Sequence, residues 1–248
     1  MKHFDIMTLG VPILEFTRME LDKPFSQAGL FYGPVPAGDP GIAMNACVRL
    51  GYTGTYVGAT GEDAFADCFF AQMEASGIDV AYLRRDSSHD TALSMLTQFS
   101  DGSRDFVFTV PHSAAATCCE DDVCEELLKN VSWIHLSGFA LSISESSARA
   151  HHKVIALAPQ ETRISFALNF HPRSSTAIPT SDAPCRCWSG VIAFCPAAAK
   201  RRFSPGPVKA KKRFASGYRI TRLSLSRTAA MAAMYFTGAS SGTCPATG

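Results

Sequence analysis

Short apolar runs alternate with amphipathic stretches through the first two thirds of the chain. Residues 3–9, HFDIMTL, form an apolar run closed by Gly10 and predict a buried strand. Residues 40–50, PGIAMNACVRL, carry Pro in the first turn and are followed by Gly51, which predicts a helix. A short strand over 54–58, a helix over 62–75 and a strand over 79–83 continue the rhythm. Two β-rich runs, 92–99 and 104–110, flank Ser-Asp-Gly-Ser at 100–103 and predict a hairpin. A helix over 121–129, a strand over 132–136, a helix over 145–158 and a strand over 163–168 complete the series. Repeated strand-helix units imply an α/β fold: a mostly parallel sheet flanked by helices, with the hairpin as an added β layer.

After about Ser174 the rhythm stops, and the one later apolar run, 191–194, has no neighbouring strand signal. Charge divides the chain near the same place. Residues 1–182 hold 12 basic and all 22 acidic residues, whereas 183–248 hold 11 basic and none acidic. The formal total of +1 conceals this split. The sequence thus predicts an incomplete domain over 1–174 and an irregular, basic tail over 175–248.

A 248-residue chain that is 46% hydrophobic and 18% charged, with a mean hydropathy of +0.05, is neither disordered nor fibrous as a whole. No apolar run approaches the roughly 18 residues that span a bilayer, so a cytoplasmic protein without a membrane partner is expected. Nine cysteines, an odd number without regular spacing, read as reduced thiols.

Few motifs carry chemistry unaided. Gly38-Asp39-Pro40-Gly41 precedes a helix, whose N-terminus could hold a hydroxyl or carboxylate oxygen, but an ordinary Gly-Pro turn explains it as well. The Gly-rich stretch 58–65 lacks the Lys-Ser/Thr ending of a phosphate loop, and Asp63 reads equally as a helix-terminus charge or a ligand. His151 and His152 are helix neighbours about 100° apart and read as solvated side chains rather than metal ligands. No cysteine pair has zinc spacing, so no metal ligands are assigned. Lys200, Lys209, Lys211, Lys212 and Arg213 would attract polyanions, and Phe203, Phe214 and Tyr218 near them could stack bases, yet a solvated tail with no specific nucleic-acid partner is the favoured reading.

Five segments, 4–16, 37–51, 57–66 followed by 76–80, 91–106 and 165–172, together resemble the ribokinase or PfkB family of carbohydrate kinases. The stretch 10–16, GVPILEF, is most similar to the 2-keto-3-deoxygluconate kinase branch. The resemblance implies a ribokinase-like sheet with a small β lid, a sugar or sugar acid bound between lid and sheet, ATP with Mg2+ at the carboxyl ends of the strands, and a homodimer through the lid. It places Gly38 and Asp39 on the family's Gly-Gly-Asp-x-x-Asn sugar motif, with Ala37 for the first Gly and Ile42 for the Asn; Asn45 is the nearest substitute. It also places Arg104 at the hairpin edge, and Asn169 in the Asp-x-Asn-x-Arg segment, where Ala167 and His171 replace the Asp and Arg. Asp39 and Glu15 are expected on the lid side, facing the sugar rather than the γ-phosphate.

The family's catalytic base lies near its C-terminus, in Gly-Ala-Gly-Asp at a helix N-terminus, but residues 183–248 contain no carboxylate. Catalytic residues therefore remain unassigned. Read two nucleotides further on, residues 231–238 permit Gly-Gly-Asp-Val-Phe-His-Gly, and 194–200 permit Leu-Pro-Ser followed by Glu. Two family-like matches in one frame point to a frameshift between about Ser174 and Pro184. Three functions remain open: a carbohydrate kinase relative that has lost its catalytic segment, a non-catalytic sugar binder, and a basic-tailed polyanion binder.

Overall fold

The computed structural model describes residues 2–169, 191–196 and 218–221. Its central sheet is built from β1 (Phe4–Leu9), β4 (Gly54–Gly61), β5 (Ile78–Asp79), β6 (Leu83–Asp86), β9 (Val131–Ser137), β10 (Arg163–Ala167), β11 (Val191–Pro196) and β12 (Tyr218–Thr221). The order is β12-β11-β10-β9-β1-β4-β5, with β6 also pairing β4. All pairings in this sheet are parallel except that between β11 and β12. β1 is buried at all but one position and β4 at every position, as expected of central parallel strands covered on both faces.

Successive strand residues point to opposite faces, so each strand feeds two cores. Ile6 and Trp133 join Met44 of α1 (Asp39–Arg49) and Phe69 and Met73 of α2 (Ala64–Ala75) on one face. Met7, Leu9, Ile134 and Leu136 pack against Leu127 and Leu128 of α3 (Glu125–Lys129) and Ala150, Val154 and Ile155 of α5 (Glu145–Leu157) on the other.

A second sheet forms the lid, in the order β3-β2-β7-β8, from β2 (Ile13–Arg18), β3 (Phe31–Ala37), β7 (Ala92–Gln98) and β8 (Arg104–Phe108). The predicted hairpin is β7 and β8. β2 and β3 were not predicted: β3 has Pro34 and Pro36 within seven residues, a composition tolerated because it is a sheet edge. The root of the lid is an apolar cluster of Val11, Ile13, Ala37, Ala92 and Val110 with Phe139 and Ala140 of α4 (Gly138–Ser142).

Other elements differ from the sequence expectation for identifiable reasons. The strand predicted over 79–83 is split, because Asp79 Oδ1 accepts the Ala81 N–H at 3.1 Å and turns the chain before β6. The helix predicted from residue 121 begins at Glu125. Asp122 is drawn away by the Cys119 N–H, 2.9 Å, and by Arg84 Nε, 2.8 Å. The run 191–194 is not partnerless: β11 adds in parallel to the open edge of β10, so the sheet continues beyond residue 174. Apart from β11 and β12, the expected tail, including Lys200, Lys209, Lys211, Lys212 and Arg213, lies outside the described residues, as does His171.

Candidate functional site

The chain leaves the central sheet at Leu9, forms β2 and β3 of the lid, and returns through Ala37 into α1. Gly38 is the N-cap of that helix, at φ 83°, in the left-handed region. A Cβ there would lie 3.0 Å from Ile13 Cγ2 and 3.2 Å from the Val11 carbonyl, so both the conformation and the space favour glycine. The turn delivers Asp39 to the carboxyl ends of β1, β9 and β10, where open α/β sheets bind their ligands.

Asp39 is 7% exposed. Its Oδ2 accepts a 2.6 Å hydrogen bond from Ser137 Oγ, at the end of β9. Burial pushes the carboxyl up to about 6, against stabilisation of the charge by Ser137, Asn169 and the helix backbone. Oδ1 is buried without a hydrogen bond of ordinary length. A charged acceptor with one oxygen held and the other buried without a partner suits a ligand hydroxyl, because its desolvation is offset only when a donor arrives. Asp39 therefore belongs to the central sheet's rim, beneath the lid rather than on it.

Asn169 reaches the same carboxylate from the segment after β10, so Gly38, Asp39 and Asn169 are brought together. Asn45 is not. Six residues along α1 place it about 9 Å further down the axis and on another face, where its Oδ1 is buried without a partner. Ile42, one turn from Asp39 and 48% exposed, is the nearer helix neighbour.

Glu15 follows Ile13 by two residues and shares its face of β2, turned toward Phe139 and the strand ends. Its carboxylate accepts from Ser94 Oγ at 3.3 Å and Thr17 Oγ1 at 3.1 Å. Arg104 lies on that face too, since it stands opposite Gln98 while Phe108 stands opposite Ser94. It is exposed and four residues, about 13 Å, beyond Phe108 along β8. A ligand touching both Asp39 and Arg104 would have to span the lid.

Two other candidates, Asp63 and His151, make structural contacts. Asp63 caps α2 by accepting from the Ala66 N–H at 2.8 Å and also takes the Thr91 N–H at 2.7 Å. Burial opposes its charge, but these bonds hold its carboxyl below the usual carboxylate range. His151, expected in solvent, is fully buried where α5 meets β1, with Nδ1 2.7 Å from the Ser147 carbonyl. Burial pushes its pKa down to about 4. His152 is half-buried. Cys47, Cys68, Cys118, Cys119 and Cys124 are free thiols.

Sequence reasoning missed two residues of the site, Ser137 and Tyr56. Ser137 ends an apolar strand just before a glycine, a position where a hydroxyl is conspicuous. Tyr56 is fully buried in β4 and carries no such signal. Among the described residues no three His, Cys, Asp or Glu side chains converge to hold a metal ion. No helix among the described residues is long and apolar enough to cross a membrane.

Comparison with known proteins places this geometry. A family model described as pfkB family carbohydrate kinase matches residues 33–200. Fructokinase-1 of Zea mays is 28% identical over 155 residues, which is 62% of this chain and 47% of that protein. An E. coli protein described as a Ribokinase II superimposes with a TM-score of 0.64 at 27% identity, covering 68% of this chain and 54% of that one. The 2-dehydro-3-deoxygluconokinase of Thermotoga maritima superimposes at 0.63 with 19% identity, over 70% and 53% respectively, which is a likeness of fold. The chain spans about half the length of the curated relatives it matches.

Proposed function

We propose, from the premise that the chain belongs to the pfkB family of carbohydrate kinases, that it binds a sugar beneath the lid as the substrate half of an ATP-dependent sugar kinase. The observation that carries this reading is the buried Asp39 carboxylate, held at Oδ2 by Ser137 and with Oδ1 lacking a hydrogen-bond partner. Asn169 supports it from the third strand end, and Glu15 faces the same space from the lid. A ketohexose such as fructose is the first candidate, given the fructokinases among the relatives. A sugar acid, by likeness to 2-keto-3-deoxygluconate kinases, is the second.

The chain as written is a sugar binder without efficient phosphoryl transfer. Moving a phosphoryl group to a hydroxyl needs a base placed to take the proton, and residues 183–248 supply no carboxylate. Asp39 lies on the sugar side, with Ser137 and Asn169 as its partners. We attribute the acid-free segment to a change of reading frame after about Ser174, which sequencing codons 170–190 tests directly. Exposed Met19, Leu21, Leu30 and Tyr32 on the lid support a homodimer there, to be read by sedimentation.

The functional test couples ADP release to fructose, 2-keto-3-deoxygluconate and ribose in turn. The expected outcome is no sugar-dependent release from this chain, and release from a chain restored to the shifted frame. Robust turnover by the chain as written, abolished by Asp39→Asn, would place the base in the first part of the molecule and overturn the reading.

A further inference from the structure

Ser137 stands where β9 hands over to α4, and it is fully buried. Its Oγ accepts the Phe139 backbone N–H at 3.1 Å, as the N-cap of that short helix. A serine hydroxyl has two lone pairs and a single proton. With one lone pair engaged by Phe139, the proton goes to the acceptor 2.6 Å away, Asp39 Oδ2. The length is that of a hydroxyl bonded to a carboxylate. The serine is thereby held from the α4 side and in turn holds the carboxylate, leaving Oδ1 without a bond of ordinary length.

We infer that Ser137 is a positioning residue for sugar recognition, its hydroxyl clamping Oδ2 of Asp39 so that Oδ1 is presented to a sugar hydroxyl. The inference rests on the reading of Asp39 as the sugar-binding carboxylate. Among the described residues, three groups from other elements face Asp39. Ser137 comes from β9, Asn169 from the segment after β10, and Tyr56 from β4. Tyr56 is the titratable one, and its phenol donates to the Val11 carbonyl at 3.0 Å. Removing the Ser137 donor takes away the first of the carboxylate's stabilising contacts and also frees its rotation.

The test follows the Asp39 carboxyl by carbon NMR through a pH titration of the full chain, the signal being assigned by its loss in Asp39→Asn. Fructose binding is measured by calorimetry on the same samples, with ribose and 2-keto-3-deoxygluconate as further probes. Ser137→Ala is expected to raise the titration midpoint by about one pH unit, the scale of one hydrogen bond to a charged group. Sugar affinity should fall about tenfold at pH 7, and part of that loss should persist at pH 8.5, where both proteins are ionised and orientation alone differs. Ser137→Thr, which keeps the hydroxyl, is expected to restore both readouts. Where the alanine variant does not fold, Ser137→Gly, a residue well accepted at an N-cap, takes its place. A midpoint unmoved by loss of the hydroxyl, or equal losses in the alanine and threonine variants, overturns the role of Ser137 alone. A midpoint that moves in a parent chain binding none of the three sugars overturns the sugar reading of Asp39 and the inference with it.

Discussion

The hydroxyl of Tyr56 donates a 3.0 Å hydrogen bond to the carbonyl of Val11, fastening β4 of the central sheet to the chain just as it enters the lid. Both residues are fully buried, so neither group has water as an alternative partner. Tyr56→Phe keeps the ring packed against Phe69, 5.9 Å away edge to face, but leaves the Val11 carbonyl unpaired. A loss of about 1 to 3 kcal/mol in unfolding free energy is expected, with faster amide exchange in residues 11–18. Denaturant unfolding together with hydrogen exchange checks it. Unchanged exchange in the lid would show that this contact does not anchor it.

Asp39 should make the protein less stable as pH rises. Its carboxyl titrates at about 6 when folded, against an ordinary 3.8. Between those values the folded chain keeps the proton and the unfolded chain has lost it, so stability falls from about pH 4 to pH 6 and levels off above. The full effect is about 3 kcal/mol. Asp39→Asn should abolish this component of the slope and be the more stable protein at pH 7, while binding no sugar. Urea unfolding of both proteins at pH 5 and pH 7.5 measures the difference, and parallel pH profiles would contradict it.

Arg18 organises the far end of the lid. Its buried guanidinium donates to the carbonyls of Pro24, Gln27 and Ala28 at 3.2, 2.9 and 2.7 Å and lies over the Phe31 ring. A lysine cannot reproduce this fork. Arg18→Lys is expected to cost about 2 to 4 kcal/mol and to open residues 24–28 to proteolysis. Equal digestion rates for the two proteins would show that the loop holds without the guanidinium.

Periodicity revealed the central sheet and its covering helices, because β1, β4 and β9 bury nearly every position and their helices carry clear ends. It failed for β2 and β3, where half-exposed lid strands carry mixed composition. It failed also for β11, whose partner β10 is contiguous in space but separated by residues without any strand pattern. Of the site, Gly38, Asp39 and Asn169 were legible through their segments. Asn45 was misplaced, because its nearness in sequence to the expected position ignored a further turn of helix. Ser137 and Tyr56 acquire their roles only through contacts of 98 and 45 residues' separation, which no local pattern records. His151 was misread because a helix face is decided by what packs on it.

The central claim is that a sugar binds at the Asp39 carboxylate beneath the lid. Titration calorimetry of the chain with fructose, 2-keto-3-deoxygluconate and ribose, repeated on Asp39→Asn, tests it most directly. Saturable binding of one of these sugars, without added nucleotide and lost in Asp39→Asn while the variant stays folded, is the expected result. Binding that survives the substitution unchanged, or a folded parent chain that binds none of the three, would contradict it.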